Sequence, residues 1–384
     1  MIANLPRTSQ VVAEGIEGGL HLGAQVYVSL EGKPVGDGAL GQARAGEPLT
    51  RDHMIVWFSM TKAVVAVAVA QLWDRGRIGL DDPVALHVPE FGAAGKDRIT
   101  IRHCLTHTGG FRGGDGVHSD DKDPGRWWAE VLAGICAVAP DPGWEPGRKA
   151  GYHLLAGVMV LAEVVNRVDG RFFSRYVREE IFEPLGMDDC WVGMPEERVA
   201  AYEGRLGTMH HTGSGMPLPL ERLDSPGWLT YCVPGANGRG PMNQLGRLYE
   251  ALLGGGQRQG ARILGAQAAE AVTARHRSGM LDETFGVVCD WALGFSVDGG
   301  TMGRHCSRRA FGHGGALSAL AFADPDHGLV VAVQTNGMAA PDDHHRRFAA
   351  ISDAVYEDLG LADPADPGRA KAFARDEGAA ALLR

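Results

Sequence analysis

The stretch FSMTKAVVAVAVA, Phe58–Ala70, sets a single lysine near the head of a run of small and β-branched apolar residues. Burying an ammonium group without a partner is costly, so Lys62 needs a reason to stand there. Residues three apart on a helix are neighbours on one face, and Ser59 precedes Lys62 by three. With 52–59 read as loop and 59 to about 74 as helix, Ser59 Oγ and Lys62 Nζ meet at the helix's amino-terminal end. Packed against Val64, Val65 and Val67, the ammonium loses solvation, its pKa falls, and a neutral amine becomes available as base. That is one way to activate a serine for nucleophilic attack. The N–H groups and positive dipole end of the helix favour an oxyanion beside it. An ordinary N-cap serine and a lysine that snorkels to solvent would show the same spacing. The surroundings must decide.

Outward from this segment the pattern changes twice. Residues 23–41, GAQVYVSLEGKPVGDGALG, hold two period-two runs around Glu31–Gly32, which reads as a hairpin. The far end repeats the theme in WALGFSVDGG (291–300) and ALSALAFADPDHGLVVAVQTNG (316–337), where Asp324–Gly328 is a turn between two strands. Beyond it, Phe348, Ile351, Val355 and Leu359 form one helical stripe. The middle, from about 81 to 265, reads as helices (125–139, 152–168, 172–186 and 242–256) separated by Gly/Pro-rich loops. The expected fold is α/β (α+β): an antiparallel sheet built from both chain ends and flanked by helices. Residues 1–80 and 266–384 then form the sheet domain and 81–265 a mainly helical lobe, with the site between them. The closing segment, ARDEGAAALLR, reads as a loosely held tail.

Bulk properties narrow the function. A chain of 384 residues exceeds what one core usually serves. A net charge of −10, with no dense Lys/Arg stripe, excludes a nucleic-acid footprint. No run of about 18 apolar residues marks a membrane span, and the amino terminus lacks the basic head and apolar core of a secretory signal. Six scattered cysteines without a C-x-x-C pair read as reduced thiols in a cytoplasmic protein.

Several segments in order carry a family resemblance. WFSMTKAVVAVAVAQLWDRGRIGLDDPVALHVPEF (57–91) resembles the nucleophile segment of the serine β-lactamase-like superfamily, in particular its class C β-lactamases, DD-peptidases, family VIII carboxylesterases and transacylases. The likeness continues through ITIRHCLTHTGGF (99–111), FEPLGMDD (182–189) and FGHGGALS (311–318), nearly the whole chain. It implies that Ser59 is the nucleophile and Lys62 its partner. It also implies that Tyr152, in GYHLLAG, opens a helix and acts as general base and acid. Leu154 stands where the family places an asparagine; it offers neither donor nor acceptor, which leans toward esters over amides. His313, Gly314 and Gly315 match the K-T-G strand, and the N–H groups of Ser59 and Ala316 would form the oxyanion hole. His313 replaces a fixed cation with a group that titrates near neutrality, and serves either as substrate contact or as structural hydrogen-bonder.

The expected function is a serine acyl hydrolase or acyltransferase passing through an acyl-Ser59 intermediate. A small-molecule acyl donor supplies the group, and water, an amine or an alcohol accepts it. No metal or organic cofactor is implied. A β-lactamase or DD-peptidase-like amidase is the alternative, and a non-catalytic ligand-binding protein on the same scaffold a distant one. His103 and His107, at i, i+4, have metal-ligand spacing but lack the glutamate and third ligand of a zinc hydrolase. They are expected to pack below the site, with Gly109–Gly110 ending their helix. His210–His211 and His344–His345 read as loop or surface pairs. The segments 111–128 and 221–240 are expected to line the mouth, with Trp127, Trp128, Trp228 and Tyr231 as apolar walls or as core.

Overall fold

The computed structural model describes residues 1–362, so the tail 374–384 lies outside the described residues. An eight-stranded antiparallel sheet runs in the spatial order 290–291, 296–297, 311–315, 319–324, 329–335, 23–30, 33–44, 47–48. Strands from the two ends of the chain meet at its centre, where Val26 pairs with Val333 and Tyr27 with Ala332. The Glu31–Gly32 hairpin forms as expected; both residues have φ above +50°, the requirement of a tight two-residue connection. The turn after Asp324 also falls between strands.

Side chains alternate across a strand, and here both faces are covered. Val26, Val28, Leu320, Phe322, Val331 and Val333 share a cluster with Phe348, Ile351 and Val355 of the terminal helix Pro341–Asp358 and with Val12 of helix Pro6–Glu17. The opposite face carries Tyr27, Ala321, Ala323, Val330 and Ala332 in the larger core. Small residues on that face admit helix Met242–Leu253 close to the sheet. Helix Thr61–Asp74 is buried on all sides from Thr61 to Leu72, as befits a central helix apolar all round. It packs on helices Ala156–Asp169 and Ala266–Thr273.

Some local readings change. Residues 52–59 are not all loop: Ile55–Val56 pairs with Arg239–Gly240. Ser59 lies in a 3-10 turn, Phe58–Met60, and the α-helix begins only at Thr61. The helix expected over 172–186 divides into an α segment, Phe173–Val177, and a π segment, Arg178–Phe182. Tyr152 does not open a helix; the helix starts four residues later, at Ala156. His344 and His345 are buried on the terminal helix rather than at the surface.

Candidate active site

The nucleophile turn is held from three sides. Trp57 N donates to Gly238 O at 2.7 Å, and the Trp57 indole donates to Gly240 O at 2.8 Å. Thr61 Oγ1 donates to Phe58 O at 2.6 Å and accepts from Gly238 N at 2.9 Å. So fixed, Phe58 holds φ at +49°, a left-handed conformation that side chains disfavour. Strain of this kind persists where the surroundings over-determine the backbone, and it concentrates at functional sites.

Ser59 does not cap the helix with its side chain. Instead, Lys62 Nζ donates to Ser59 Oγ at 3.0 Å and to Gly235 O at 3.0 Å. Lys62 is 2% exposed; it does not snorkel. The Gly235 carbonyl comes from a loop 173 residues away in sequence, which no spacing rule reveals. Asn237 staples that loop: its side chain accepts from Val233 N at 3.0 Å and donates to Trp228 O at 3.0 Å.

Tyr152 is buried with its ring centroid 5.0 Å from Lys62 Nζ. Its backbone is clamped by the turn that follows Leu281. Asp282 Oδ1 accepts from Tyr152 N at 3.0 Å, and Thr284 Oγ1 donates to Tyr152 O at 3.0 Å. Phe285 stacks on the Tyr152 ring at 4.6 Å. Asp282 also forms a fully buried ion pair with Arg277 at 3.1 Å. Just beyond Tyr152, Asp115 accepts from the amides of Leu154, Leu155 and Ala156 at 2.7–2.8 Å, meeting the free N–H groups where the helix begins. None of Asp115, Gly235, Arg277, Asp282 or Phe285 carried a motif, and only Asp115, in a Gly-rich loop ahead of a helix, left any local hint.

Gly315 ends strand Phe311–Gly315 against this turn: a Cβ there would lie 2.3 Å from Trp57 O. Only glycine permits that approach, and it sets Ala316 beside the segment carrying Ser59. Gly315 O accepts from Ser318 N at 2.9 Å, closing a turn in which Leu317 has φ +51°. From the terminal helix, Arg347 donates to Leu317 O at 2.9 Å, Gly337 O at 3.1 Å and Leu20 O at 2.6 Å. A Cβ on Gly314 would meet its nearest neighbour, Ala319 O, at 3.7 Å, so its face is open.

His313 departs from the expectation that it titrates near neutrality. It is buried 5.7 Å from Trp291 and 6.1 Å from Tyr152, and burial together with the Lys62 charge pulls its pKa down to about 3. Its Nδ1 bonds the Gly314 carbonyl at 2.7 Å, leaving Nε2 without a partner. The expected pairing of His103 and His107 on one helix also fails. That helix ends at Leu105, and His103 closes a capping box with Thr100. His107 lies beyond it, at φ +55°, 4.4 Å from the Tyr152 ring. Burial holds His107 and its neighbour His153 below the usual histidine range. Among the described residues, no group of three His, Cys, Asp or Glu side chains converges as a metal site would require.

A serine in the turn that leads into helix Thr61–Asp74, a lysine in the helix's first turn, a buried tyrosine and a sheet edge beside them are the arrangement of a serine hydrolase or acyltransferase. The chain belongs to the β-lactamase family, whose model matches residues 8–356. It is 29% identical over 353 residues to the esterase/β-lactamase LipL of Mycobacterium tuberculosis, covering 83% of this chain and 78% of that one. It is 29% identical over 378 residues to esterase EstB of Burkholderia gladioli, covering 87% and 91%. The crystal structure of a family VIII carboxylesterase superposes with a TM-score of 0.78 at 28% identity, over 93% of this chain and 98% of that one.

Proposed function

We propose that the protein cleaves carboxylic esters through an acyl-Ser59 intermediate and delivers the acyl group to water or to an alcohol or amine. The observation that carries this reading is the 3.0 Å contact between Lys62 Nζ and Ser59 Oγ inside a desolvated corner. Ser59 Oγ attacks the acyl carbon as its proton passes to the Lys62–Tyr152 pair. The carbonyl oxygen, now an oxyanion, takes hydrogen bonds from the amides of Ser59 and Ala316. Collapse breaks the bond to the leaving oxygen, which recovers the proton as alcohol. The acceptor then attacks the acyl-enzyme by the same route in reverse.

Three features favour neutral esters over β-lactams and peptides. Leu154 offers no amide where a carboxamide would hold an amide substrate. His313 is neutral and supplies no fixed cation for a substrate carboxylate. The relative EstB carries an esterase name. No helix among the described residues is long and apolar enough to cross a membrane. The six cysteines stand unpaired, as reduced thiols do in the cytoplasm, where we place the protein.

Intact mass and stopped-flow release from p-nitrophenyl acetate test the reading together. A burst of nitrophenol with an acetyl adduct on Ser59, both lost in Ser59→Ala, is the expected result. Undiminished turnover by Ser59→Ala would sink it. Adding a primary alcohol or amine and measuring how the acetyl group partitions separates hydrolysis from transfer.

A further inference from the structure

A cavity of about 560 Å³ has walls that include Trp127, Trp228, Tyr231, Pro124 and Val233. Three of the four aromatic residues expected at the mouth are here. The fourth, Trp128, is core, its indole bonded to Glu163 at 2.9 Å. Trp127 and Tyr231 face each other with centroids 5.4 Å apart. The Tyr231 hydroxyl is committed to Asp121 O at 2.9 Å, so the tyrosine offers its ring rather than its oxygen.

Two observations join the cavity to the reacting centre. Trp228 packs against the apolar cluster that contains Phe58, Ala316 and Leu317, the neighbours of Ser59 and of the sheet edge. Val233, on the wall, precedes Gly235 by two residues, at most about 7 Å of chain, and Gly235 O is the acceptor that holds Lys62. An ester whose carbonyl sits at Ser59 therefore projects one of its ends along this wall. The volume lies within the range of ligand pockets, roughly 300–1,000 Å³, and exceeds what a short acyl chain fills.

We propose that this cavity is a specificity subsite for an aromatic ring, or a bulky apolar group of like size, on one end of the ester. The proposal rests on the acyl-Ser59 reading and deepens it. Aromatic faces stack on aromatic ligands, and the buried wall at Val233 favours an apolar group over a charged one. Glu196, Arg222 and Lys122 also line the cavity, and their mixed signs select no single ligand charge.

The test compares p-nitrophenyl acetate with p-nitrophenyl 4-phenylbutanoate, which carries the ring on the acyl side, and with 2-naphthyl acetate, which carries it on the alcohol side. Two variants act on different residues of the lining. Trp127→Ala removes a stacking face. Gly227→Leu fills the cavity, since the nearest neighbour of a Cβ at Gly227 is Tyr231, at an uncrowded 3.6 Å. In both variants the ratio of kcat/KM for one aromatic ester over p-nitrophenyl acetate should fall at least tenfold, and the ester that responds identifies the side. Ratios within twofold of the wild type for both aromatic esters, in both variants, would overturn the subsite. A Ser59→Ala background keeps the two readings separate: tryptophan fluorescence then reports 2-naphthyl acetate binding without turnover. The same titration is run with p-nitrophenyl 4-phenylbutanoate; binding of either aromatic ester weakened by Trp127→Ala upholds the subsite even if Ser59-dependent hydrolysis is absent, and unchanged binding of both counts against it.

Discussion

Lys62 is an amine buried where folding alone would not put one. It is buried, and its ammonium nitrogen donates to Ser59 Oγ and to Gly235 O. Desolvating an ammonium costs several kcal/mol, whereas orphaning one carbonyl costs about 1–3 kcal/mol. The desolvation cost is the larger, so Lys62→Met should leave the melting temperature unchanged or raise it. Proton transfer at the site is worth roughly 10²–10⁴ in rate, so kcat on an activated ester should fall by about that factor. Thermal unfolding and kcat measured on one preparation check both halves. A variant that is markedly less stable yet fully active would contradict the assignment. Spacing alone suggested that serine and lysine meet, because i and i+3 share a helical face. That Ser59 sits in a strained 3-10 turn, with Lys62 aimed by a carbonyl from residue 235, depended on contacts distant in sequence.

At the scale of elements, the oxyanion edge is built by three segments that no local pattern joins. Strand 311–315 brings Gly315 against Trp57 O, a left-handed Leu317 turns the chain, and Arg347 of the terminal helix holds that turn by its carbonyl. A left-handed non-glycine residue costs roughly 1–2 kcal/mol, so the turn needs an outside hold. Arg347→Met leaves Leu20 O, Leu317 O and Gly337 O without this donor. Leu20 O keeps the Thr212 hydroxyl and Gly337 O the Thr335 hydroxyl as donors, so the cost falls on Leu317 O, and relief of the buried guanidinium offsets part of it; the expected loss of stability is about 1 kcal/mol. If the turn presents the Ala316 amide, kcat falls more than KM rises, and Arg347→Lys restores part of both. Urea unfolding with steady-state kinetics on both variants decides; a stability loss with unchanged kcat would make Arg347 purely structural. The helical stripe of Phe348, Ile351 and Val355 was legible because periodicity reports a buried face. Arg347, one position away on the same helix, was not, since periodicity says nothing about which carbonyls a buried guanidinium finds.

For the whole molecule, the sheet was legible from its ends because alternation and turn chemistry are local, while the polar interior was not. A group of histidines lies buried with depressed proton affinity. His21 and His313 are drawn down to about 3, the first by burial and Arg347, the second by burial and Lys62. Burial also places His107 and His344 well below the usual value and lowers His153. In the unfolded chain each titrates near 6.5. Below that pH the unfolded state binds protons that the folded state refuses, so stability is complete above pH 6.5 and falls as pH drops from there toward 3. At pH 5 each strongly shifted histidine costs on the order of 2 kcal/mol, so His21 and His313 together remove roughly 4. Ion-paired carboxylates such as Asp81, Asp169 and Asp189 sit below their ordinary values, so their contribution is lost only as pH falls through the carboxylate range, below the pH 7.5–5.0 comparison. The melting temperature should therefore fall by several degrees between pH 7.5 and pH 5.0, with net proton uptake on unfolding at the lower pH. Calorimetry in buffers of different ionisation enthalpy measures both quantities. An equal or higher melting temperature at pH 5.0, or no proton uptake, would mean that these imidazoles are charged or solvated in the folded protein.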